Sequence, residues 1–379
     1  MEQNNKSNIS KQAKRAVSLN SNISKALQEI KAQLGDEEFN LILFFASPTY
    51  PPGKISKEFQ QTFPNVQTIG CTTAGEIFGG ELLQDSIVAM AFNKNIIKNF
   101  HIELINNINE LMQVNKAFQV FAKDLGVKTY EMDSEKYVGI ILADGLKGEP
   151  ENLISRINEI TEIPFIGGTA GDNWELKHSY IYINGKYYEN AALIILLEPT
   201  NGFKILKTQS FEPLGAIFIA TAVDEKKRCL KTVDNKPAAL FYAQQIGVPI
   251  EELKEQFPNY SIGQIIYDEA YLHDSVTFDD KYNLYLHSSI PKGAEIQILK
   301  ISNIIEDMER IIEQEIKPLE NISAIVNFNC GSRFLKLKKE NQETEFQQLF
   351  KDLPAIGFAT YGEFFISFIN QTSVMLVLF

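Results

Sequence analysis

Gly70-Cys71-Thr72-Thr73-Ala74-Gly75-Glu76 recurs twice along the chain, as Gly167-Gly168-Thr169-Ala170-Gly171-Asp172 and as Gly357-Phe358-Ala359-Thr360-Tyr361-Gly362-Glu363. Each copy follows a short apolar run ending in Ile-Gly, at Ile69, Ile166 and Ile356. Each then offers small or hydroxyl residues, a glycine and an acid. Strand-end loops otherwise vary freely, so a loop kept this similar in three places marks a repeated unit and a candidate piece of a site.

The repeat extends upstream. Apolar β-type runs stand at Leu41 to Ala46, Tyr137 to Leu142 and Ala324 to Phe328, followed by helix-like stretches at Ser56 to Phe63, Glu151 to Glu159 and Glu343 to Asp352. Pro64, Pro164 and Pro354 each stop the helix and return the chain to an extended form. The unit therefore reads strand, helix, strand, acidic turn. Such a crossover requires a parallel pair and a right-handed connection. Short, closely spaced strands follow each loop and read as antiparallel hairpins, with Asn184-Gly185 a strong turn signal. The expected fold is mixed α/β: repeated strand-helix-strand units extended by antiparallel strands, in mixed sheets covered by helices, with pseudo-repeated halves. A fourth Ile-Gly, Ile262-Gly263, follows Phe257-Pro258-Asn259 as Ile69-Gly70 follows Phe63-Pro64-Asn65, but lacks the acidic turn. A degenerate copy and a coincidence both fit it.

Composition narrows the class. The chain has 379 residues, 44% hydrophobic and 22% charged, which is ordinary for a globular protein of two or three domains. A net charge of −12 argues against bulk binding of nucleic acid or of an anionic membrane. Lys226-Lys227-Arg228 is flanked by acids and reads as a solvated turn. No apolar run is long enough to span a bilayer, and the polar N-terminus lacks the apolar core of a secretory signal. Three cysteines suit a reducing cytoplasm, and neither a CxxC pair nor a His/Cys cluster points to structural zinc. The expected organisation is a polar start with an amphipathic helix in 1–36 and two domains, 37–230 and 231–379. In that helix Val17, Leu19, Ile23, Leu27, Ile30 and Leu34 would form the apolar face and Gly35 the stop.

These residues also carry a family resemblance. Phe44-Phe45-Ala46-Ser47, Phe63-Pro64 and the first two glycine loops resemble the N-terminal FIST domain (F-box and intracellular signal transduction). Pro237-Ala238-Ala239-Leu240-Phe241-Tyr242, Ile290-Pro291-Lys292-Gly293, Phe328-Asn329-Cys330-Gly331-Ser332-Arg333 and the third loop resemble the FIST C-terminal domain. The resemblance implies a sensory module for small ligands, amino acids and their derivatives being the class suggested for the family. With no kinase, helix-turn-helix or cyclase motif in the chain, it would signal in trans to a separate protein such as a kinase or cyclase.

The candidate ligand-binding residues are Cys71, Thr72, Glu76, Thr169, Asp172, Cys330, Arg333, Tyr361 and Glu363. Strand-end glycines free backbone N–H groups for anions, and an acid can take an ammonium or cap the next turn. Glu76, Asp172 and Glu363 would stand in equivalent places, as one acidic cluster or as three separate caps. Arg333, directly after a buried-type strand, suits bidentate carboxylate recognition, against the alternative of a salt bridge to Glu363 or Glu76. Two other readings remain. Cys71 or Cys330 as a nucleophile would need a base, and none of the four histidines is near either in sequence. Some FIST proteins are similar to haem-binding nitric-oxide sensors, and a haem would need an axial histidine, for which His178 and His287 are the candidates. No GxSxG, HExxH or Walker A sequence is present. Asp144-Gly145-Leu146-Lys147-Gly148 and Ser47-Pro48-Thr49-Tyr50 occupy matching strand ends, where α/β sheets often bind ligands.

Overall fold

A computed structural model describes residues 11–266 and 269–379. The three glycine-loop units form three six-stranded sheets of identical order. In the first, Leu41–Ala46 pairs in parallel with Gln67–Thr72 across the helix Pro52–Thr62, and antiparallel with Ile87–Phe92. Lys14–Ser18 closes that edge. The second sheet repeats this with Val138–Asp144, Phe165–Ala170, Ala192–Pro199 and the edge strand Ile97–Ile105. The third does so with Ala324–Cys330, Ala355–Thr360, Thr372–Leu378 and the edge strand Phe203–Gln209.

The hairpin after each glycine loop does not stay with its own sheet. Glu76–Phe78, from the first unit, pairs with Ala355–Thr360 of the third. Ile181–Ile183, from the second, pairs with Gln67–Thr72 of the first. Glu363–Phe365, from the third, pairs with Phe165–Ala170 of the second. The exchange is cyclic, so each sheet is incomplete without a neighbour's hairpin. One apolar core, including Phe45, Leu142, Phe328 and Phe358, draws on all three sheets, and the rings of Phe45 and Phe358 lie 4.4 Å apart. Helices cover the outer faces. Burial of each such ring contributes about 1.5–3 kcal/mol, which ties the three units into one body.

The repeated Ile-Gly has a steric cause. Gly70, Gly167 and Gly357 face Phe44, Ile141 and Asn327 across the parallel pairs. A Cβ at these glycines would stand 1.9, 1.9 and 2.1 Å from the carbonyl oxygens of those partners. No side chain fits that gap, so the glycine serves the close approach of one strand to the next.

In two units the edge strand runs directly into its helix, Lys14–Ser18 into Ile23–Leu34 and Ile97–Ile105 into Met112–Leu125. In the third, residues 211–301 intervene between Phe203–Gln209 and Ile304–Ile311. They form an antiparallel eight-stranded sheet with the helix Ala238–Ile246 and a core of their own. The expected boundary at 230 falls within this insertion. The fourth Ile-Gly belongs to it too: Tyr260–Ile266 pairs antiparallel on both sides, so the match to the repeat is a coincidence of sequence.

The N-terminal helix is shorter than its apolar spacing predicts. Asn22 caps Ile23–Leu34 by accepting from the Lys25 N–H, and Gly35 ends it at φ 78°. Val17 instead lies in the edge strand and Leu19 is 65% exposed. Ile23, Ala26, Leu27, Ile30 and Leu34 are buried, so the helix packs on the first sheet.

Candidate ligand site

The three glycine loops meet at one end of the sheets and interlock through their backbones. Gly171 N–H donates to the Thr72 carbonyl, Ala359 N–H to that of Gly75, and Thr169 N–H to that of Gly362, at 3.1, 2.8 and 2.9 Å. Thr72 and Thr169 belong to this clasp: Thr72 Oγ1 accepts from Tyr180 N–H at 2.9 Å, and Thr169 Oγ1 donates to the Gly362 carbonyl at 3.3 Å. Both side chains are buried. Convergence of the loops is therefore observed, and it closes the backbone on itself.

Strand register places Glu76 and Glu363 in equivalent positions, and it places Ile181 there in the second unit. Asp172 sits further back, in a longer loop, so the expected three-fold equivalence of acids reduces to two. Each of the two glutamates is fully buried and accepts three donors. Glu76 takes Thr73 Oγ1, Ser86 Oγ and Ser86 N–H. Glu363 takes Thr360 Oγ1, Thr372 Oγ1 and Thr372 N–H. These bonds fasten the glycine loop to the start of the unit's last strand. Among the described residues no cation lies within salt-bridge distance of either, and burial pushes the carboxyls up to about 7 for Glu76 and about 8 for Glu363. Asp172 accepts N–H groups from Leu176, Lys177 and His178 and, at 2.6 Å, the Tyr361 hydroxyl. Tyr361 also accepts from Trp174 N–H at 2.7 Å, so Asp172 and Tyr361 together hold the loop that carries Trp174.

Cys71 and Cys330 are buried, and burial with nearby Glu76 or Glu363 pushes both thiols well up. That is the reverse of what a nucleophilic thiolate requires. His178 has a 60% exposed side chain and pairs with Glu189 through Nδ1 at 2.6 Å. His287 is half-buried in the inserted sheet, and burial depresses its pKa to about 4. The two histidines lie in different parts of the fold. Asp144 folds its own loop, accepting from Leu146 N–H, Ser179 Oγ and Asn190 N–H.

Arg333 stands apart from all of these. It is 1% exposed, near the start of the helix Gly331–Lys339. Neither expected partner reaches it, and no carboxylate lies within salt-bridge distance among the described residues. Nη1 donates to Ser210 Oγ and Nη2 to Thr208 Oγ1, each at 3.2 Å, while Nε–H has no partner. Burial lowers its pKa to about 10, with Cys330, Glu363 and Asp307 acting weakly the other way. A cleft of about 740 Å³ opens beside its helix, lined among others by Gln209, Ser302, Asp307 and Lys336 but not by Arg333 itself. Lys336 is one helical turn beyond Arg333, and Gln209 stands between its two hydroxyl partners.

Sequence reasoning missed the polar residues that face this place from the insertion. Asp274 is 3% exposed and accepts from Ser261 Oγ at 3.0 Å and from Gln371 Nε2 at 2.9 Å, with the Ser332 hydroxyl also bonded to it. Burial raises its pKa to about 6. Gln371 Oε1, Asn327 Nδ2 and Asn329 Oδ1 nearby are buried without partners. The one signal in the sequence was His273-Asp274-Ser275, a polar run between two β-type stretches.

Residues 40–236 match the FIST N domain and residues 238–366 the FIST C domain. The chain belongs to the FIST family. FIST domains are associated with signal transduction and small-ligand sensing. The chain is also similar to an uncharacterised protein of Methanocaldococcus jannaschii, 20% identical over 333 residues. That alignment covers 82% of this chain and 63% of the relative, so this FIST chain spans less than two thirds of the relative's length. No helix among the described residues is long and apolar enough to cross a membrane.

Proposed function

We propose that this FIST protein is a cytoplasmic sensor whose small ligand, an amino acid or related metabolite, places its carboxylate against Arg333. A guanidinium taken fully out of water and held only by two neutral hydroxyls carries a large desolvation cost. A ligand carboxylate offsets that cost and supplies the acceptor that Nε–H lacks, in the planar two-point geometry that favours arginine over lysine. The single observation behind this reading is that buried, unpaired guanidinium. The neighbouring cleft, with Lys336 and Asp307 on its wall, is the route of approach.

The remaining candidates take supporting roles. Cys330 and Glu363 flank Arg333, whereas Cys71, Thr72, Glu76, Thr169, Asp172 and Tyr361 hold the loops that position it. In this reading the FIST domains at 40–366 supply the ligand response, and the signal passes to a separate signalling protein such as a kinase or cyclase. Nucleic acid is a poor partner for a chain of net charge −12. The test is a thermal-shift screen of free amino acids and their derivatives on the wild-type and Arg333→Ala proteins. A ligand at about a hundred times its Kd adds roughly 2.7 kcal/mol of stability. Equal shifts in both proteins would sink the proposal.

A further inference from the structure

The insertion and the three-sheet body meet along a seam with unusual chemistry. The apolar clusters of the insertion contain only residues between 211 and 301, and those of the body contain none of them. Among the described residues, what crosses the seam is polar or charged, with the rings of Tyr271 and Phe368 lying under Lys207 and Arg228. Gln371 donates to Asp274 at 2.9 Å, Ser288 to Asn370 at 3.0 Å, and Asn370 N–H to the Leu272 carbonyl at 3.1 Å. Arg228 reaches over to Glu151, Nε to Oε1 at 2.9 Å and Nη2 to Oε2 at 3.0 Å. Two bodies with separate cores and a polar interface move relative to one another by default.

The chain enters and leaves the insertion at one place. Ser302 N–H donates to the Ser210 carbonyl at 3.1 Å, so the two crossings lie side by side. Ser210 is also the residue whose hydroxyl accepts from Arg333. Ser332, next to Arg333, bonds Asp274 of the insertion. Residues 332 and 333 thus touch the insertion at both the crossing and the polar contact.

We propose that the inserted sheet, residues 211–301, is the moving part of the sensor: it turns as a rigid body about Ser210 and Ser302, latched by Asp274–Gln371 and Arg228–Glu151. This rests on the reading of Arg333 as the ligand's anchor. A carboxylate on the Nε–Nη2 edge takes the place of Thr208 and leaves Nη1 on Ser210 beside the crossing, so a shift of the guanidinium couples occupancy to the angle of the insertion. The ligand acts by binding one angle better than the other.

The experiment is single-molecule energy transfer in the full chain labelled at Lys31→Cys on the body and Glu252→Cys on the insertion, both exposed sites. The native cysteines are buried and raised in pKa, so maleimide goes to the introduced ones. Glu151→Ala with Gln371→Gly opens both latches, and glycine suits the φ of 58° at position 371. The latch variant is expected to give a broad or second transfer population while keeping wild-type far-ultraviolet dichroism, and wild type a single narrow one. A mixture of the twenty amino acids is expected to narrow the variant's distribution, and to leave it broad when Arg333→Ala is added. One narrow population in the latch variant overturns the rigid-body turn. Broadening that no amino acid alters, with no thermal shift in wild type, keeps the turn and removes the ligand reading instead.

Discussion

Replacing Arg333 by methionine separates a ligand anchor from a structural residue, because the two roles predict opposite signs. In the ligand-free protein the guanidinium is 1% exposed and has two neutral acceptors. Its pKa of about 10 corresponds to a bias of about 3 kcal/mol against the charged form. Hydrogen bonds to a charged group return about 1.5–3 kcal/mol each at best, and the 3.2 Å contacts here are long. Methionine fills similar space without a charge to desolvate, and Thr208 and Ser210 are free to turn their hydroxyls elsewhere. Exchanging buried ionic groups for packed apolar ones often stabilises by about 1–4 kcal/mol. Arg333→Met is therefore expected to unfold at higher urea, by about 1–3 kcal/mol with an unchanged slope, and to lose every amino-acid-dependent thermal shift. Urea is the better readout, since a chain of this length moves its midpoint temperature by only about 1–2 °C per kcal/mol. Destabilisation of more than about 2 kcal/mol would refute the reasoning and make Arg333 a strut of the fold.

Three further outcomes follow from the same geometry. The Glu363 and Glu76 carboxyls, near 8 and 7, are raised above their unfolded values, so the stability they contribute is complete below about pH 4.3 and is lost as pH rises through 7 to 8. His273 and His287, lowered to about 4, act oppositely, but that effect is half spent at about pH 6.5 and gone by about pH 7.5, so the two carboxyls outweigh it. Wild-type stability should therefore fall from pH 6.5 to 8.5, and Glu363→Gln should flatten that fall; an unchanged slope would show the carboxyl to be ionised throughout. Gly357→Ala sets a Cβ 2.1 Å from the Asn327 carbonyl, and a cost above about 3 kcal/mol, at the upper end for overpacking, is expected in denaturant melts. A cost below 1 kcal/mol would show that the parallel strands part easily. Iodoacetamide at pH 8 should modify Cys71 and Cys330 far more slowly than in urea-unfolded protein, as peptide mapping would show. Rapid labelling of either would revive the cysteine-enzyme reading.

Local order was legible because the forces that set it are local. Each strand-helix-strand crossover is written in apolar runs, a proline and an Ile-Gly, and the steric demand at Gly70, Gly167 and Gly357 wrote the same dipeptide three times. The hairpin exchange was not legible. Glu76–Phe78 suits its own sheet as well as a neighbour's, and only the packing of three sheets selects the partner. The same limit applies to the acids. Asp172 matches Glu76 and Glu363 by its distance from a glycine, but a longer loop in the second unit moves Ile181 into the equivalent place. Val17 and Leu19 fit a helical spacing until Asn22 caps the helix behind them. Arg333 was visible as a residue of interest, yet its meaning lay in what is absent around it. Thr208 and Ser210 come from a strand more than 120 residues earlier, and no sequence pattern states that a carboxylate fails to arrive.

The exchange also bears on why the residues proposed to anchor the ligand gather at one unit. Each hairpin carries its glycine loop into the neighbouring sheet, so a shift at one loop is felt in two sheets. The first two units spend that coupling on the clasp, through Glu76 with Ser86 and Asp172 with Tyr361. In the third, the same segment after the hairpin reaches Asn370 and Gln371, which bond the insertion rather than another loop. The insertion therefore docks where the third hairpin, the Arg333 helix and the second sheet meet. A small displacement of Arg333 reaches the insertion through Ser210, while Glu363–Phe365 joins the third unit to the second sheet. With the insertion turning as proposed, that joint is the place where a few kcal/mol of ligand binding has the shortest path to a large movement.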